Sequence, residues 1–510
     1  MIFQSILFGN NSAYAEKEAD ASEPLFFKDL NLDQVIKAIT SGKTEYNLEP
    51  FFYIPLNSAN DIIYRHEIIR DLENAELFES IKLFAERMKR VRLYLSMIEK
   101  LHYKYHYEGW FLEAVLVYCN AVTALETNLR DVKLKSEGLI AFNEFITGYT
   151  SSTDFKTLTA EALGLKRSLS SLKYSIIIRG DTVSVRKYEE EADYSMEVEK
   201  TFKKFQEGAG KDYTYRFSPP SGMNHVESNI LKQVAKLYPG IFLCLGIFFS
   251  RKENFLNTSI STFDREIQFY VAYLEYISKM KKSGLKFCFP QIAVCDRDIW
   301  SFEGFDIALA DKLVSEDLPV VCNDFTLSGG ERVIVVSGPN QGGKTTFARA
   351  FGQIHYLASL GLPVPGDKAR LFLFDNIFTH FEKEEKISNL RGKLHDDLFR
   401  VHDILNQAGP DSILLLNEIF MSTTLKDALF LSGRIMEIIL QKGLICVWVT
   451  FIDELSSYSE KTVSMMSTAL PESPETRTFR VIRKPADGLA YAMAIAGKYR
   501  LTYNQLKERL

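Results

Sequence analysis

A run of residues in the carboxy-terminal half has the spacing of a phosphate-binding loop. Gly338-Pro339-Asn340-Gln341-Gly342-Gly343-Lys344-Thr345 fits the pattern G-x-x-x-x-G-K-[ST]. Glycines let successive backbone N–H groups face phosphate oxygens, Lys344 would neutralise the outer phosphates, and Thr345 would reach magnesium. The competing interpretation is an ordinary glycine-rich turn, which the strand and helix patterns on either side disfavour. The loop predicts binding of ATP and Mg²⁺.

A second candidate group follows an apolar run further along the chain. Leu414-Leu415-Leu416 ends in Asn417 and Glu418. A carboxylate at the end of such a strand can orient an attacking water, so Glu418 is the predicted general base. Asn417 occupies the position at which an aspartate normally binds Mg²⁺ through water, and it lacks the charge. The alternative is that Glu418 only ends a strand and caps the next turn.

The apolar pattern around these residues alternates between strands and helices. It predicts strands at 333–336, 412–416 and 444–449, with helices at 345–360 and 426–440 between them. This order is typical of an α/β nucleotide-binding domain. The preceding chain has helical spacing from about residue 30 to 130 and again from 226 to 282, with a hairpin pattern between. We predict an amino-terminal segment 1–45, a helical domain 46–290 with a β-containing insertion at about 174–217, and an ATPase domain 291–510.

Composition excludes several classes of protein. The 510 residues include 61 Lys and Arg against 66 Asp and Glu, a formal net charge of -5, so contact with nucleic acid would depend on local patches. The longest strongly apolar stretch, Ile241 to Phe249, is much shorter than the roughly 20 residues that cross a bilayer. The six cysteines show no C-x-x-C spacing. We expect a reduced, cytoplasmic protein that does not insert into a membrane.

Several motifs longer than a generic phosphate-binding loop resemble those of one protein family. The string G-P-N-x-G-G-K-[ST]-T of the MutS mismatch-repair family is matched from Gly338 to Thr346, which adds Thr346 to the predicted ATP-binding residues. Pro319 to Asp324 resembles the segment that leads into this loop, and Asp375 to Thr379 resembles D-x-I-F-T-R. Leu415 to Ile419, followed by Thr423, Thr424 and Asp427, is similar to D-E-I and its Thr/Ser-rich loop. Gly488 to Thr502 resembles a closing helix-turn-helix that helps pair two ATPase domains.

The resemblance implies an α/β P-loop ATPase domain of the ABC/MutS type, preceded by a mainly α-helical core and lever domain with a small β hairpin. It also implies ATP and Mg²⁺ as cofactors, a homodimer, DNA as a partner and recruitment of a downstream repair or recombination protein. Thr345 and, indirectly, Asn417 would hold the metal. No room before residue 30 is evident for the amino-terminal mismatch reader. The partner that the resemblance implies is mismatched, branched or otherwise distorted duplex DNA, and because the reader is missing we expect recognition of DNA shape or branches instead of single mismatches.

Three departures from the family pattern lie inside the ATPase motifs. Asn417 replaces an aspartate, and Phe451 stands where the family has a switch histidine. Phe451 cannot donate a hydrogen bond or move a proton. The signature G-R-S-T, which acts on a partner's nucleotide, is best matched by Leu390-Arg391-Gly392-Lys393. Arg391, Gly392 and Lys393 are therefore candidates without the serine hydroxyl. These changes favour retained nucleotide binding with slow or differently timed hydrolysis.

The sequence is also compatible with two other functions. A nucleotide-gated scaffold that binds DNA or protein with little ATP turnover would fit the three departures. A P-loop kinase for small molecules is disfavoured by the long helical half. Basic residues form two candidate DNA-binding patches, although charged runs on helices are more often solvated faces. One patch is Arg87, Lys89, Arg90, Arg92, Lys100 and Lys104, and the other is Arg179, Arg186 and Lys187 of the predicted hairpin.

Overall fold

The computed structural model describes residues 3–9, 18, 20–180, 182–190, 223–293, 297–381, 392–470, 473–486 and 507. The helices in this part of the chain are α1 (Leu32–Thr40), α2 (Ala59–Leu72), α3 (Ala75–Ile98), α4 (Lys104–Asp131), α5 (Glu137–Ser151), α6 (Thr153–Ser170), α7 (His225–Leu237), α8 (Pro239–Arg251), α9 (Thr258–Lys282), α10 (Ile307–Ser315), α11 (Lys344–Ser359), α12 (Lys393–Gln407) and α13 (Leu425–Lys442).

The strands lie in the predicted hairpin and in the carboxy-terminal half. They are β1 (Tyr174–Arg179), β2 (Thr182–Lys187), β3 (Phe287–Cys288), β4 (Gln291–Ala293), β5 (Ile299–Gly304), β6 (Asn323–Leu327), β7 (Val333–Ser337), β8 (Val364–Pro365), β9 (Lys368–Phe372), β10 (Ile377–His380), β11 (Ile413–Asn417), β12 (Ile445–Val449), β13 (Thr462–Leu470) and β14 (Ser473–Arg483). The predicted strands and helices around the loop are confirmed to within about two residues at their ends, where helix boundaries are least sharp.

The chain forms two compact units whose boundaries differ from the predicted domains. One unit contains residues 1–3, 73–134 and 139–264, and the other contains 4–72, 135–138 and 265–510. The predicted amino-terminal segment 1–45 therefore falls almost wholly in the unit that carries the loop. The cause is a set of side-chain contacts to its backbone. Glu266 accepts hydrogen bonds from Ser5 Oγ at 2.9 Å and Ile6 N at 2.7 Å, and Arg65 Nε donates to Leu7 O at 3.1 Å.

The first unit is mainly helical, as predicted for this part of the chain. Helix α3 begins after Asn74, whose Oδ1 accepts hydrogen bonds from two first-turn N–H groups. It buries a stripe of Leu77, Ile81, Phe84, Met88 and Val91 at the three- and four-residue spacing of an amphipathic helix. Strands β1 and β2 pair antiparallel, with Ile176 opposite Val185, so the predicted hairpin is confirmed over residues 174–187. The remainder of the predicted insertion, 191–217, lies outside the described residues.

The second unit is built on a sheet with strand order β10-β11-β12-β7-β13-β14. The first five strands are parallel, and β14 pairs antiparallel with β13 at the edge. Every residue of β7, β11 and β12 is buried, as expected for parallel strands covered on both faces. One face packs against α12 and α13 through a core that includes Trp448 and Met436. A smaller sheet, β4-β9-β5-β6, completes the unit.

The ends of three central strands are level with one another. Asn417 pairs in register with Val449, and Val449 pairs with Val336. Because parallel strands present their carboxyl ends at one edge, the segments after β7, β11 and β12 emerge side by side. This register brings the phosphate-binding loop and Glu418 to the same place.

Within the described residues, we find no single helix long and apolar enough to cross a bilayer. Helices α7 and α8 pass that length and composition test only as a pair, and they are bent by 108° at their junction.

Candidate functional site

The loop between β7 and α11 lies directly against strand β13. Gly338 and Gly343 have φ angles of 107° and 91°, and Gln341 also has a positive φ of 58°. A Cβ atom on Gly338 would lie 2.7 Å from the backbone oxygen of Ser467, and one on Gly342 would lie 2.6 Å from Ser467 Oγ. Glycine is therefore required at these positions for close packing as well as for backbone conformation. The loop leads into the amino terminus of α11, where backbone N–H groups favour an anion.

Lys344 is held inside the loop. Its Nζ donates hydrogen bonds to Gly338 O at 3.0 Å, Pro339 O at 3.2 Å and Asn340 Oδ1 at 3.3 Å. The same atom lies 3.7 Å from Glu418 Oε1. Burial lowers the pKa of Lys344, the Glu418 carboxylate opposes this, and Arg477 lowers it further. The buried ammonium group is surrounded by oxygen atoms in the way that phosphate oxygens would surround it.

The end of β11 faces the first turn of α11. Thr345 Oγ1 donates to Asn417 Oδ1 at 2.9 Å. Asn417 is the last residue of the strand and is buried, whereas the side chain of Glu418 is 28% exposed. Glu418 has a φ of 52°, and its N–H donates to Val449 O at 2.9 Å. The loop, Thr345, Asn417 and Glu418 therefore meet, and the hydroxyl and amide oxygens are of the kind that magnesium prefers as ligands.

Thr346, the last predicted ATP-binding residue, follows Thr345 in α11. It lines a small pocket with Val321, Asn323 and Phe347. This pocket lies beside the loop, on the side where strand β6 begins.

The β13–β14 hairpin is a part of the site that sequence reasoning missed. Asn323 Nδ2 donates to Phe479 O at 3.2 Å, and Asn323 Oδ1 accepts from Val481 N at 2.7 Å. The Phe479 backbone has a φ of 57°, and its oxygen lies 3.4 Å from the point where a Cβ on Gly343 would be. Asn323 entered the sequence analysis only through the resemblance. Ser467 and Phe479 could be found only from the register that places β13 beside β7.

Comparison with known proteins adds to this geometry. The family model "MutS domain V" matches residues 334–500. The chain carries a MutS domain V. It is 29% identical over 185 residues to "Endonuclease MutS2" of Gemmatimonas aurantiaca, a match that covers 36% of this chain and 22% of that protein. It is 27% identical over 214 residues to "DNA mismatch repair protein MutS" of Chlorobium phaeobacteroides, covering 41% of this chain and 24% of that one.

A third relative is the MutS of Petrotoga mobilis, 32% identical over 152 residues, or 30% of this chain and 18% of that protein. The chain matches less than a quarter of the length of each of these curated relatives. The family model covers the stretch that contains the loop, Glu418 and most of the central sheet, and the predicted resemblance to the MutS family is confirmed for this domain.

The segment from Asp375 to Thr379, which resembles a family motif, contacts the amino-terminal part of the second unit. Thr379 Oγ1 donates to Asp29 Oδ2 at 2.7 Å, and Arg349 Nε, from α11, donates to Asp29 O at 2.9 Å. Asp375 accepts a hydrogen bond from Ser412 Oγ at 2.7 Å, just before β11. These contacts fix the position of β10 and of the segment that leads into β11.

The remaining predicted site residues of the MutS domain V are placed only in part. Gly392 precedes α12 as its N-cap and Lys393 is the first helical residue, whereas Arg391 and the predicted helix-turn-helix at 488–502 lie outside the described residues. Phe451 follows β12 and is 43% exposed. An apolar ring therefore lies on the surface next to the carboxyl ends of the strands, where a histidine was expected from the resemblance.

In the first unit, the basic patch of α3 and the start of α4 is divided between solvent and an internal ion pair. Arg92 pairs with the buried Asp264. Lys89, Arg90, Lys100 and Lys104 are exposed. Three Phe-x-Glu strings among the described residues begin with a phenylalanine that is buried in the core. These are Phe84, Phe111 and Phe142.

Proposed function

We propose that this protein is an ATP-dependent DNA-binding protein of the MutS family, which couples binding and hydrolysis of ATP to clamping of mismatched or branched DNA. The observation that carries the proposal is the grouping of Lys344, Thr345, Asn417 and Glu418 at one edge of the sheet. In this proposal the loop and Lys344 hold the β and γ phosphates. Thr345 and Asn417 hold Mg²⁺, and Glu418 orients the attacking water.

Each of these roles is supported by a contact. Lys344 is buried, and its Nζ donates hydrogen bonds to loop oxygens, which phosphate oxygens would replace. Thr345 and Asn417 offer neutral oxygen donors 2.9 Å apart, which suits a hard cation. Glu418 is accessible to solvent and adjacent to Lys344, as a residue that orients water must be. ATP supplies the phosphoryl group, and the chain supplies positioning and charge.

We further propose a cytoplasmic homodimer that recruits a downstream repair or recombination protein. DNA would contact the exposed basic side chains in and just after α3, and those of the β1–β2 hairpin. The DNA contact is supported by the names of the relatives and by the exposure of Lys89, Arg90 and Lys100.

The test is ATP hydrolysis with Mg²⁺, in the presence and absence of mismatched, branched and fully paired DNA. Lys344→Ala should abolish nucleotide binding, and Glu418→Gln should preserve binding while lowering turnover by about a hundredfold or more, the usual effect of losing a positioned general base. Glu454→Gln, a matched change at an exposed carboxylate, should leave both unchanged. Absence of salt-sensitive binding to every DNA tested would contradict the DNA-clamping proposal.

A second candidate is a nucleotide-gated scaffold that binds DNA or protein with little ATP turnover. The neutral Asn417 beside Thr345 and the exposed Phe451 ring favour it. Tight ATP binding with negligible turnover, unchanged in Glu418→Gln, would support this candidate over the first.

A further inference from the structure

The turn after Glu418 has an unusual backbone. Glu418 and Phe420 both have positive φ angles, 52° and 62°, although neither is glycine. Such conformations are costly for residues with side chains and persist only where the surroundings hold them. One restraint is the Glu418 N–H bond to Val449 O at 2.9 Å. The second is outside the central sheet, and it acts on Phe420.

That second restraint comes from helix α12. The buried Phe420 donates its N–H to Asp397 Oδ2 at 3.3 Å. The other carboxylate oxygen of Asp397 lies 3.1 Å from Nε2 of His380, the last residue of β10, and the side chains of His380 and Asp397 are 4% and 13% exposed. A single carboxylate therefore joins the end of β10, helix α12 and the turn that carries Glu418.

The position of Asp397 in α12 gives this contact a consequence. Asp397 lies one helical turn after Lys393, where the helix begins. The amino-terminal part of α12 is half-buried or exposed, whereas Val401 and Leu405 are anchored in the core. A displacement of this end of α12 would act on the turn through Asp397. His380 stands where the motif D-x-I-F-T-R has an arginine. The His380–Asp397 contact is therefore a departure of this chain from that motif.

We propose that Asp397 and His380 are positioning residues that set the orientation of Glu418 and hence the rate of ATP hydrolysis. This inference rests on the proposed function of Glu418. Asp397 acts by accepting a hydrogen bond from the Phe420 N–H, and His380 acts through its close contact with the Asp397 carboxylate, which does not have the geometry of a hydrogen bond. In the described part of the chain, the polar contacts of these two side chains are to each other and to the Phe420 N–H, so nucleotide affinity should not depend on them.

The test combines steady-state ATP hydrolysis with hydrogen exchange of the Phe420 amide in the full chain. Asp397→Ala should lower kcat about tenfold or more while KM for ATP changes by no more than about threefold, since only the orientation of the base is lost. Its Phe420 amide should lose protection from exchange. Asp397→Asn should have an intermediate effect, because it offers one acceptor oxygen in place of two, and it gives the same information if the alanine variant is unstable.

Two further variants separate positioning from simple packing. His380→Gln keeps a polar N–H group beside the Asp397 carboxylate and should retain kcat within about threefold, whereas His380→Leu removes the polar contact and should approach the alanine variant of Asp397. Asp403→Asn is the matched control, because Asp403 lies on the exposed face of α12. Its carboxylate accepts a hydrogen bond from Gln407 Nε2 of the same helix at 2.9 Å. It should change neither kcat nor exchange.

The outcomes distinguish this inference from the proposed function. If the unchanged chain hydrolyses ATP and Asp397→Ala does so equally well, the positioning role is wrong while the ATPase proposal stands. An equal loss of kcat in His380→Gln and His380→Leu would also overturn it. Absence of ATP turnover by the unchanged chain would refute both together.

Discussion

The amide of Asn417 offers the sharpest test of the metal site, because one isosteric change restores a charge. In Asn417→Asp, a carboxylate oxygen would replace the amide oxygen that lies 2.9 Å from Thr345 Oγ1. The position is only 8% exposed, so water screens the new charge poorly. If Thr345 and residue 417 together hold Mg²⁺, the variant should bind the metal more tightly.

The expected size of the effect follows from the indirect role proposed for residue 417, which would accept a hydrogen bond from a water molecule bound to Mg²⁺. A hydrogen bond between neutral groups contributes about 1 kcal/mol, and one to a charged group about 2 kcal/mol. The difference of about 1 kcal/mol corresponds to a roughly fivefold lower dissociation constant for Mg²⁺ in the presence of ATP. Without Mg²⁺, the same buried carboxylate should make the variant less stable than the unchanged protein, because a buried charge without a partner is costly.

The assay is a titration of free Mg²⁺ at saturating ATP, followed by turnover and, independently, by the fluorescence of a bound nucleotide analogue. Asn406→Asp, the same chemical change at an exposed position of α12, is the control. If the Mg²⁺ concentration at half-saturation is the same in Asn417→Asp and the control, residue 417 does not face the metal and the reasoning fails.

Two other substitutions test the loop and the amino-terminal contact. Gly342→Ala would place a Cβ 2.6 Å from Ser467 Oγ and should weaken ATP binding by about tenfold or more. Gly330→Ala is the control, because it has open space around it and should not weaken binding. Equilibrium binding of a nucleotide measures both. Burial raises the pKa of Glu266 from 4.5 to about 7, so protonation stabilises the fold below pH 4.5, and up to about 3 kcal/mol of that stabilisation is lost as the pH rises to 7. Denaturant unfolding at pH 5 and pH 8 should show this loss, and Glu266→Gln should remove it; an equal loss in both proteins would contradict the assignment.

The sequence predicted the central sheet because its strands have strong local signals. Val333 to Val336 and Leu414 to Leu416 are continuous apolar runs, which parallel strands buried on both faces require. The loop between β7 and α11 was equally clear, since its glycines and Lys344 have a fixed spacing. The meeting of Thr345 with Asn417 also followed, because the strand register leaves few other arrangements.

Contacts between distant segments could not be predicted in this way. No spacing in the sequence indicates that Ser467 lies under Gly342, or that Asp397 reaches the Phe420 N–H. The first depends on the register that places β13 beside β7, and the second on how α12 packs against the turn after β11. The amino-terminal segment was assigned a separate range for the same reason, because its attachment to Glu266 spans about half of the chain and leaves no periodic signal.

Two of the three departures from the family pattern concern one of the two proposed tasks of the site. In the proposed function, phosphate binding depends on the loop backbone, the first turn of α11 and Lys344, and none of these is altered in this chain. Asn417 and Phe451 lie instead at the ends of β11 and β12, beside Glu418. Substitutions at these strand ends can change how a base and a metal are held while the loop still binds nucleotide. Binding and turnover are therefore separable in this site, and the contact from α12 to the turn of Glu418 is where we expect the rate to be set.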